Sequence, residues 1–171
     1  FIPDRPVPGA VLREALELAQ RAPSNCNVQP WRVYIASGGG CRRLREALLL
    51  AIANGETPAP DNPIDEFPGR YRRLQVDCAV ALYQEMGVER HDQIGRLKAF
   101  TRNFEFFDAP QIAIVCMEQH FGLGVALDVG MYVQTFMLSL WARGVASCAQ
   151  ASLRVYPQIV RRELGIPDEL R

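Results

Sequence analysis

Ser24, Asn25, Asn27 and Gln29 stand within ten residues, Ala22-Pro23-Ser24-Asn25-Cys26-Asn27-Val28-Gln29-Pro30-Trp31, that hold a hydroxyl, three side-chain amides and a thiol. The stretch has no carboxylate, no histidine and no lysine. Groups of this kind donate and accept hydrogen bonds without carrying charge, and they move few protons near neutral pH. They suit recognition of a neutral heterocycle with ring nitrogens and carbonyls. Pro23 and Pro30 forbid a continuous helix through the stretch. The alternative is a plain structured turn, in which Ser24, Asn25 and Asn27 bond to their own backbone.

Other chemistries lack their parts. His91 and His120 are the two histidines, and neither accompanies a Gly-x-Ser-x-Gly turn, so a hydrolase triad is not assembled. His91-Asp92 is too thin for a metal site. Cys26, Cys41, Cys78, Cys116 and Cys148 form no Cys-x-x-Cys, which argues against a zinc ribbon or a thioredoxin-type pair. Gly122-Leu123-Gly124 lacks the third glycine of a dinucleotide fingerprint. Gly38-Gly39-Gly40 has no Gly-Lys-Ser/Thr after it and reads as a flexible turn rather than a phosphate loop.

Composition narrows the partners. At 171 residues and 49% hydrophobic, the chain predicts one globular domain with a sizeable core. Its 19 cations balance 19 anions, and Lys98 is the lone lysine among dispersed arginines. Nothing here calls for nucleic acid or an anionic membrane. The longest apolar run, residues 47–53, is too short to cross a bilayer, and no secretory leader is recognisable. An odd number of scattered cysteines fits a reducing cytoplasm, with most thiols buried as small hydrophobes.

The loop must be held by its neighbours. Leu12, Ala15, Leu16, Ala19 and Ala22 predict an amphipathic helix over 10–22. Trp31, Val33 and Ile35 alternate with Arg32 and Tyr34, a strand pattern. A second helix follows on Leu44, Ala47, Leu48, Ala51 and Ile52. Residues 54–68 carry four prolines and read as a loop of the length that often serves as a lid. Further helical stripes fall on Tyr71, Leu74, Cys78, Leu82 and Met86, then on Ile94, Leu97 and Phe100. Residues 54–103 thus form a helical excursion between two core strands. Phe104, Phe106 and Phe107 predict core or interface, and 111–117 a buried strand. The longest helix is predicted over 125–143, with Val129, Val133, Phe136, Met137 and Leu140 on one side. It is apolar round most of its circumference, as in a core or a dimer interface. Gly144 is placed to cap it, and Pro157 and Gly165 bound a last helix.

Several of these segments are family-like in wording and order. Pro-Ser-x-x-Asn-x-Gln-Pro-Trp follows the first helix, and Phe107-Asp108-Ala109-Pro110 enters a strand. Asp128-x-Gly130-x-Tyr132-x-Gln134 lies in the long helix. Gly144-Val145-Ala146-Ser147-Cys148-Ala149-Gln150 and Val160-Arg161-Arg162-Glu163-Leu164-Gly165-Ile166-Pro167 close the chain. In that ordered set the chain resembles the nitroreductase-like family of FMN-dependent NAD(P)H oxidoreductases.

The resemblance implies an α+β fold, a three-layer α/β sandwich with a mainly antiparallel sheet, built as an intertwined homodimer with FMN at the subunit interface. It implies that Pro23, Ser24, Asn25, Cys26, Asn27 and Gln29 bind the isoalloxazine and ribityl chain across that interface. Ala149, Gln150 and Ala151 would lie over the ring, with a backbone N–H near N5, although several relatives have glycine there. Arg102 and Asn103 would reach the pyrimidine edge; read as residues alone, they equally fit a capped, solvated helix end. The implied reaction is ping-pong: hydride from NAD(P)H reaches flavin N5, and the electrons pass to a small acceptor such as a nitroaromatic or quinone. No side chain stands out as an obligatory general acid and no metal is called for. Alternatives are flavin fragmentation or reductive dehalogenation on the same fold, or a non-catalytic flavin-binding dimer. Family members carry an Arg/Ser-rich segment upstream and a strand with a phosphate-binding arginine downstream, so the resemblance implies a single domain over 1–171 cut at both ends.

Overall fold

The computed structural model describes residues 1–63 and 66–171; Ile64 and Asp65, within the loop expected over 54–68, lie outside the described residues. Its middle layer is a pair of antiparallel strands, β1 (Arg32–Ser37) and β2 (Gln111–Cys116), with Tyr34 opposite Ile114 and Val33 opposite Val115. Side chains alternate across a strand, so Tyr34, Ala36, Ile112, Ile114 and Cys116 share one face while Val33 and Val115 share the other.

Each face carries a pair of helices, but the cover is partial: Ile35 and Ala113 are exposed, and of the buried strand expected over 111–117 only Cys116 is fully buried. α2 (Gly38–Ala53) and α6 (Pro157–Leu164) pack on the first through Leu44, Leu48, Ala51, Ile159 and Val160. α1 (Gly9–Ala19) and α5 (Leu123–Trp141) pack on the second through Ala15, Ala19, Tyr132, Phe136 and Leu140, closing over Trp31. This is the expected three-layer sandwich. The alternation over 31–35 had only one face apolar, but Tyr34 and Ala36 join the core on the opposite side.

Three local expectations change. Gly38-Gly39-Gly40 are not a free turn but the first turn of α2. Glycine costs roughly 1 kcal/mol per residue in a helix, and burial of Cys41, Leu44, Leu48 and Ala51, each at most 3% exposed, outweighs it. The buried side of α5 is Asp128, Tyr132, Phe136, Ser139 and Leu140; of the side expected, Phe136 and Leu140 are buried while Val129, Val133 and Met137 are only half-buried. Its opposite side leaves Leu123, Leu127, Met131, Leu138 and Trp141 exposed. The long loop is no free lid in its first half: Ala59 N–H donates to Val155 O at 3.0 Å, Tyr156 Oη to Glu56 O at 3.2 Å, and Arg171 Nη1 to Asn62 Oδ1 at 2.7 Å.

α5 has the length and composition of a membrane span, with a mean hydropathy of 1.4, which the run at 47–53 does not anticipate. Here its inner side is packed on α1 and on Trp31. Gly144, at φ +72°, ends it as expected: its N–H donates to Trp141 O and that of Val145 to Leu140 O, the paired bonds of a left-handed glycine cap.

The excursion holds α3 (Arg70–Glu85) and α4 (Gln93–Thr101), the latter capped by Asp92 Oδ1 accepting from Gly95 N–H at 2.8 Å. Their stripes form helices but stay in solvent: α3 buries no residue, and Ile94, Leu97 and Phe100 are exposed.

Candidate functional site

The 22–31 loop is rigid at both ends and polar in the middle. Ala22 and Trp31 are buried, while Pro23, Asn25, Cys26, Asn27, Val28 and Gln29 are exposed. Trp31 is fixed twice, by Nε1 donating to Gln20 Oε1 at 2.8 Å and by stacking on Tyr132. Between these ends Asn25–Asn27 make one tight turn, with Cys26, Asn27 and Gln29 at φ of +49°, +56° and +48°. Side chains disfavour this left-handed region, at a cost of order 1 kcal/mol per residue; asparagine tolerates it best, which accounts for one of the three.

Four backbone N–H groups of this turn are bonded within the protein. Asn27 N–H donates to Ser24 O and Val28 N–H to Asn25 O. Gln29 N–H donates to Ser24 Oγ at 3.0 Å, and Asn25 N–H donates to Asp128 Oδ2 at 3.0 Å. The amide side chains are not spent on the backbone, as a plain structured turn would have them. Gln29 Nε2 donates to Asn27 Oδ1 at 3.0 Å, and Cys26 Sγ lies 3.4 Å from Asn25 Oδ1. The exposed edge of the turn therefore offers neutral donors and acceptors, a set matched to an uncharged heterocycle.

Arg102 and Asn103 follow α4 and behave differently from each other. The Arg102 guanidinium forks onto Asp108, Nη1 to Oδ1 at 3.1 Å and Nη2 to Oδ2 at 2.7 Å, and Nη1 also meets Glu105 Oε2 at 3.1 Å. This bracket spans Phe106, Phe107 and Asp108, at φ of +58°, +49° and +62°. The Arg102 hydrogen bonds hold the Asp108 carboxyl below the usual carboxylate range, and Asp108 in turn raises Arg102. Asn103 caps α4 by donating from Nδ2 to Phe100 O at 3.0 Å, and its Oδ1 accepts from Ser152 Oγ at 3.0 Å. Ser152 directly follows Ala149, Gln150 and Ala151, which are exposed. The structure thus ties Asn103 to the 149–151 segment.

A cleft of about 890 Å³ opens beside β2, with Asn103, Phe107, Ala149 and Gln150 among its walls and none of residues 23–29. The cleft therefore takes in the 149–150 half of the expected site and not the 23–29 half. The sequence singled out both halves but did not name Ser152, and it named Asp128 only within a motif of the long helix, with no part in holding the loop. Asp128 had a visible signal: it is the one charged residue in α5.

Comparison with known proteins decides the family. The nitroreductase family model matches residues 1–171. The chain belongs to the nitroreductase family. It is 40% identical to nitroreductase NfnB of Mycolicibacterium smegmatis over 97% of this chain and 71% of that protein. It is 36% identical to a 4-nitrobenzoate reductase of a Nocardioides species, over 96% of this chain and 68% of that one. Among solved structures, the FMN-dependent nitroreductase NfnB of Mycobacterium smegmatis in complex with NADPH superposes with a TM-score of 0.94 at 37% identity, covering 100% of this chain and 77% of that one. An FMN- and NADPH-dependent nitroreductase NfnB from a Sphingopyxis species, strain HMH, gives the same TM-score at 33% identity, covering 98% of this chain and 76% of that one. These nitroreductase neighbours share the α+β sandwich described above.

Proposed function

We propose that this nitroreductase-family chain is an FMN-dependent oxidoreductase that takes electrons from NAD(P)H and delivers them to a nitroaromatic, quinone or similar small acceptor. The observation that carries the reading is the 22–31 loop, a strained turn pinned by Asp128 and Ser24 with a row of exposed neutral amides. Pro23, Ser24, Asn25, Cys26, Asn27 and Gln29 would hold the flavin, and Ala149, Gln150 and Ala151 would cover it. Asn103 anchors that cover through Ser152. Arg102 stands at the edge of the site, its fork engaged by Asp108 and Glu105. Bound FMN supplies the redox chemistry, accepting hydride from NAD(P)H and releasing electrons to the acceptor in turn. The chain's own part is to bind, orient and shield. No histidine, lysine or carboxylate stands in either segment, which leaves protons to come from water or a neighbouring group.

We infer further that the working unit is a homodimer. That the cleft takes in residues 149–150 and none of 23–29 supports it, because a second copy can bring one chain's loop to the other's cover. The exposed stripe Leu123, Leu127, Met131, Leu138 and Trp141 on α5 supplies an apolar surface for that copy. The expectation that most thiols are buried is not met, since Cys26, Cys78 and Cys148 are exposed and only Cys41 and Cys116 are buried; five free thiols still fit a reducing, cytoplasmic setting.

The test is a visible spectrum of the purified protein supplied with FMN, before and after anaerobic NADPH or NADH. Flavin bands that co-purify with the protein and bleach on addition support the reading. Protein that takes up no FMN overturns it, and bound flavin that neither nucleotide bleaches leaves only the non-catalytic flavin-binding form.

A further inference from the structure

The 24–29 turn holds three residues at positive φ, and such a backbone persists only where the surroundings over-determine it. Its own side chains do not supply the whole of that hold. Ser24 stands where a turn's capping hydroxyl would serve the first N–H groups, but its Oγ is taken by Gln29 N–H at 3.0 Å. The leading N–H, that of Asn25, is taken instead by a carboxylate from another element. Asp128 Oδ2 accepts it at 3.0 Å across 103 residues of sequence. Asp128 is 6% exposed on a helix otherwise free of charge, and it has no cationic partner among the salt bridges of the described residues. A buried carboxylate is costly unless hydrogen-bonded, so its retention at this place has a reason in the loop it meets.

We propose that Asp128 is a positioning residue for the flavin loop: its carboxylate caps the Asn25 turn from α5 and holds residues 24–29 in the one backbone form that turns their amides outward. The proposal rests on the FMN reading above and assigns a task to a residue outside the proposed contact set. Four residues on, Tyr132 of the same helix stacks on Trp31 at the loop's far end, so α5 grips the loop at both sides. The opposite side of α5 is the exposed apolar stripe. One helix therefore joins the cofactor loop to the proposed subunit interface.

The experiment compares Asp128→Asn, which keeps an acceptor oxygen, with Asp128→Leu, which keeps bulk and removes it. Asn25→Pro removes the N–H from the other partner. Proline suits the start of a turn, and Ser24, at φ −143° and ψ 154°, already has the extended backbone that precedes proline. Asn25→Ala keeps the N–H and controls for the lost side chain. Each protein is titrated with FMN, and the exchange protection of the 24–29 amides is measured without FMN.

Asp128→Leu weakens FMN binding about 10–100-fold, the span of a charge-assisted hydrogen bond to a preorganised site. It also removes protection across the turn, while Asp128→Asn restores both to within about threefold. Asn25→Pro matches Asp128→Leu, exceeds Asn25→Ala, and adds nothing on top of Asp128→Leu. Unchanged affinity and protection in Asp128→Leu overturns the proposal, as does equal loss in the asparagine and leucine variants. If Asp128→Leu does not fold, the contrast of Asn25→Pro with Asn25→Ala decides alone. Wild-type protein that fails to bind FMN sinks the functional reading, and the protection data then still judge the strut.

Discussion

Trp31 stacks on Tyr132 with ring centroids 4.6 Å apart and planes inclined by 22°. The two rings join the residue that ends the flavin loop to the middle of α5, and they are 4% and 1% exposed. Deleting a buried aromatic ring costs about 3–5 kcal/mol, so Tyr132→Ala is expected to lose that much in urea unfolding. Tyr132→Phe keeps the ring and loses under about 1 kcal/mol. Burial pushes the Tyr132 phenol up. Its contribution is therefore whole below about pH 10, the unfolded value, and is lost as pH rises through the raised one. The phenylalanine variant is expected to unfold with a shallower alkaline slope than wild type.

The Ser152–Asn103 bond yields a kinetic prediction. Ser152→Ala removes one partly buried hydrogen bond, worth about 0.5–1.5 kcal/mol, and loosens the 149–151 cover without touching the 22–31 loop. FMN affinity should hold within about twofold, while kcat for a nitroaromatic falls about 3–10-fold, as the bond's worth allows. A large loss of FMN with no change in kcat would place the tether's role elsewhere.

Subunit association should depend on the outer side of α5. Leu127 and Leu138 are 64% and 57% exposed there, and glutamate at either is harmless to a monomer but not to a buried apolar interface. Leu127→Glu with Leu138→Glu is expected to convert a dimer to a monomer in light scattering and to weaken FMN binding. A wild-type monomer that binds FMN normally would remove the dimer, and partition of wild type into vesicles would assign the stripe to a lipid surface instead.

What the sequence disclosed follows the physics of each segment. The loop was legible because its residue types are unusual together and its prolines bar a helix. The helices were legible from period, including the exposed α3, because periodicity reports amphipathicity and not what covers it. The orientation of α5 was legible only in part, since a helix apolar on most sides carries little directional signal. Gly38-Gly39-Gly40 misled because local propensity favours a turn and the buried Leu44 and Leu48 favour a helix. The left-handed run Phe106-Phe107-Asp108 was hidden, as phenylalanine does not announce positive φ. Asp128 was conspicuous as a lone charge, yet its partner, a backbone N–H 103 residues away, leaves no trace in residue type.

That left-handed run gives the acid-side prediction. Asp108 is held below the usual carboxylate range by Arg102, so the pair contributes fully above about pH 4, the ordinary aspartate value, and is lost as pH falls through the lowered one. Asp108 is about half exposed, which keeps the contribution to about 1 kcal/mol or less. Asp108→Asn is expected to flatten the stability profile below pH 4 relative to wild type. Arg102→Gln should flatten it as well, since it removes the same coupling, although it also gives up the bond to Glu105. Urea unfolding across pH 2.5–6, an ordinary span for carboxylate titration, reads both; an unaltered slope in either variant counts against the bracket.

Arg161 and Asp61 are an unequal pair, with side chains 7% and 25% exposed at 2.6 Å. Asp61 lies in the long loop, and Arg161 in α6 also donates from Nε to Leu170 O at 3.1 Å. One guanidinium thus fastens the loop and the 170 region to the sheet's α2/α6 side. Removing one partner of a buried pair strands the other, at about 3–5 kcal/mol when it cannot rehydrate. Arg161 cannot; Asp61, a quarter exposed, can turn to water. Asp61→Asn is therefore expected to destabilise more than Arg161→Met, although methionine also gives up the bond to Leu170 O. Chemical unfolding of the two, side by side, checks the order, and the reverse order would mean that the Leu170 contact outweighs the ion pair.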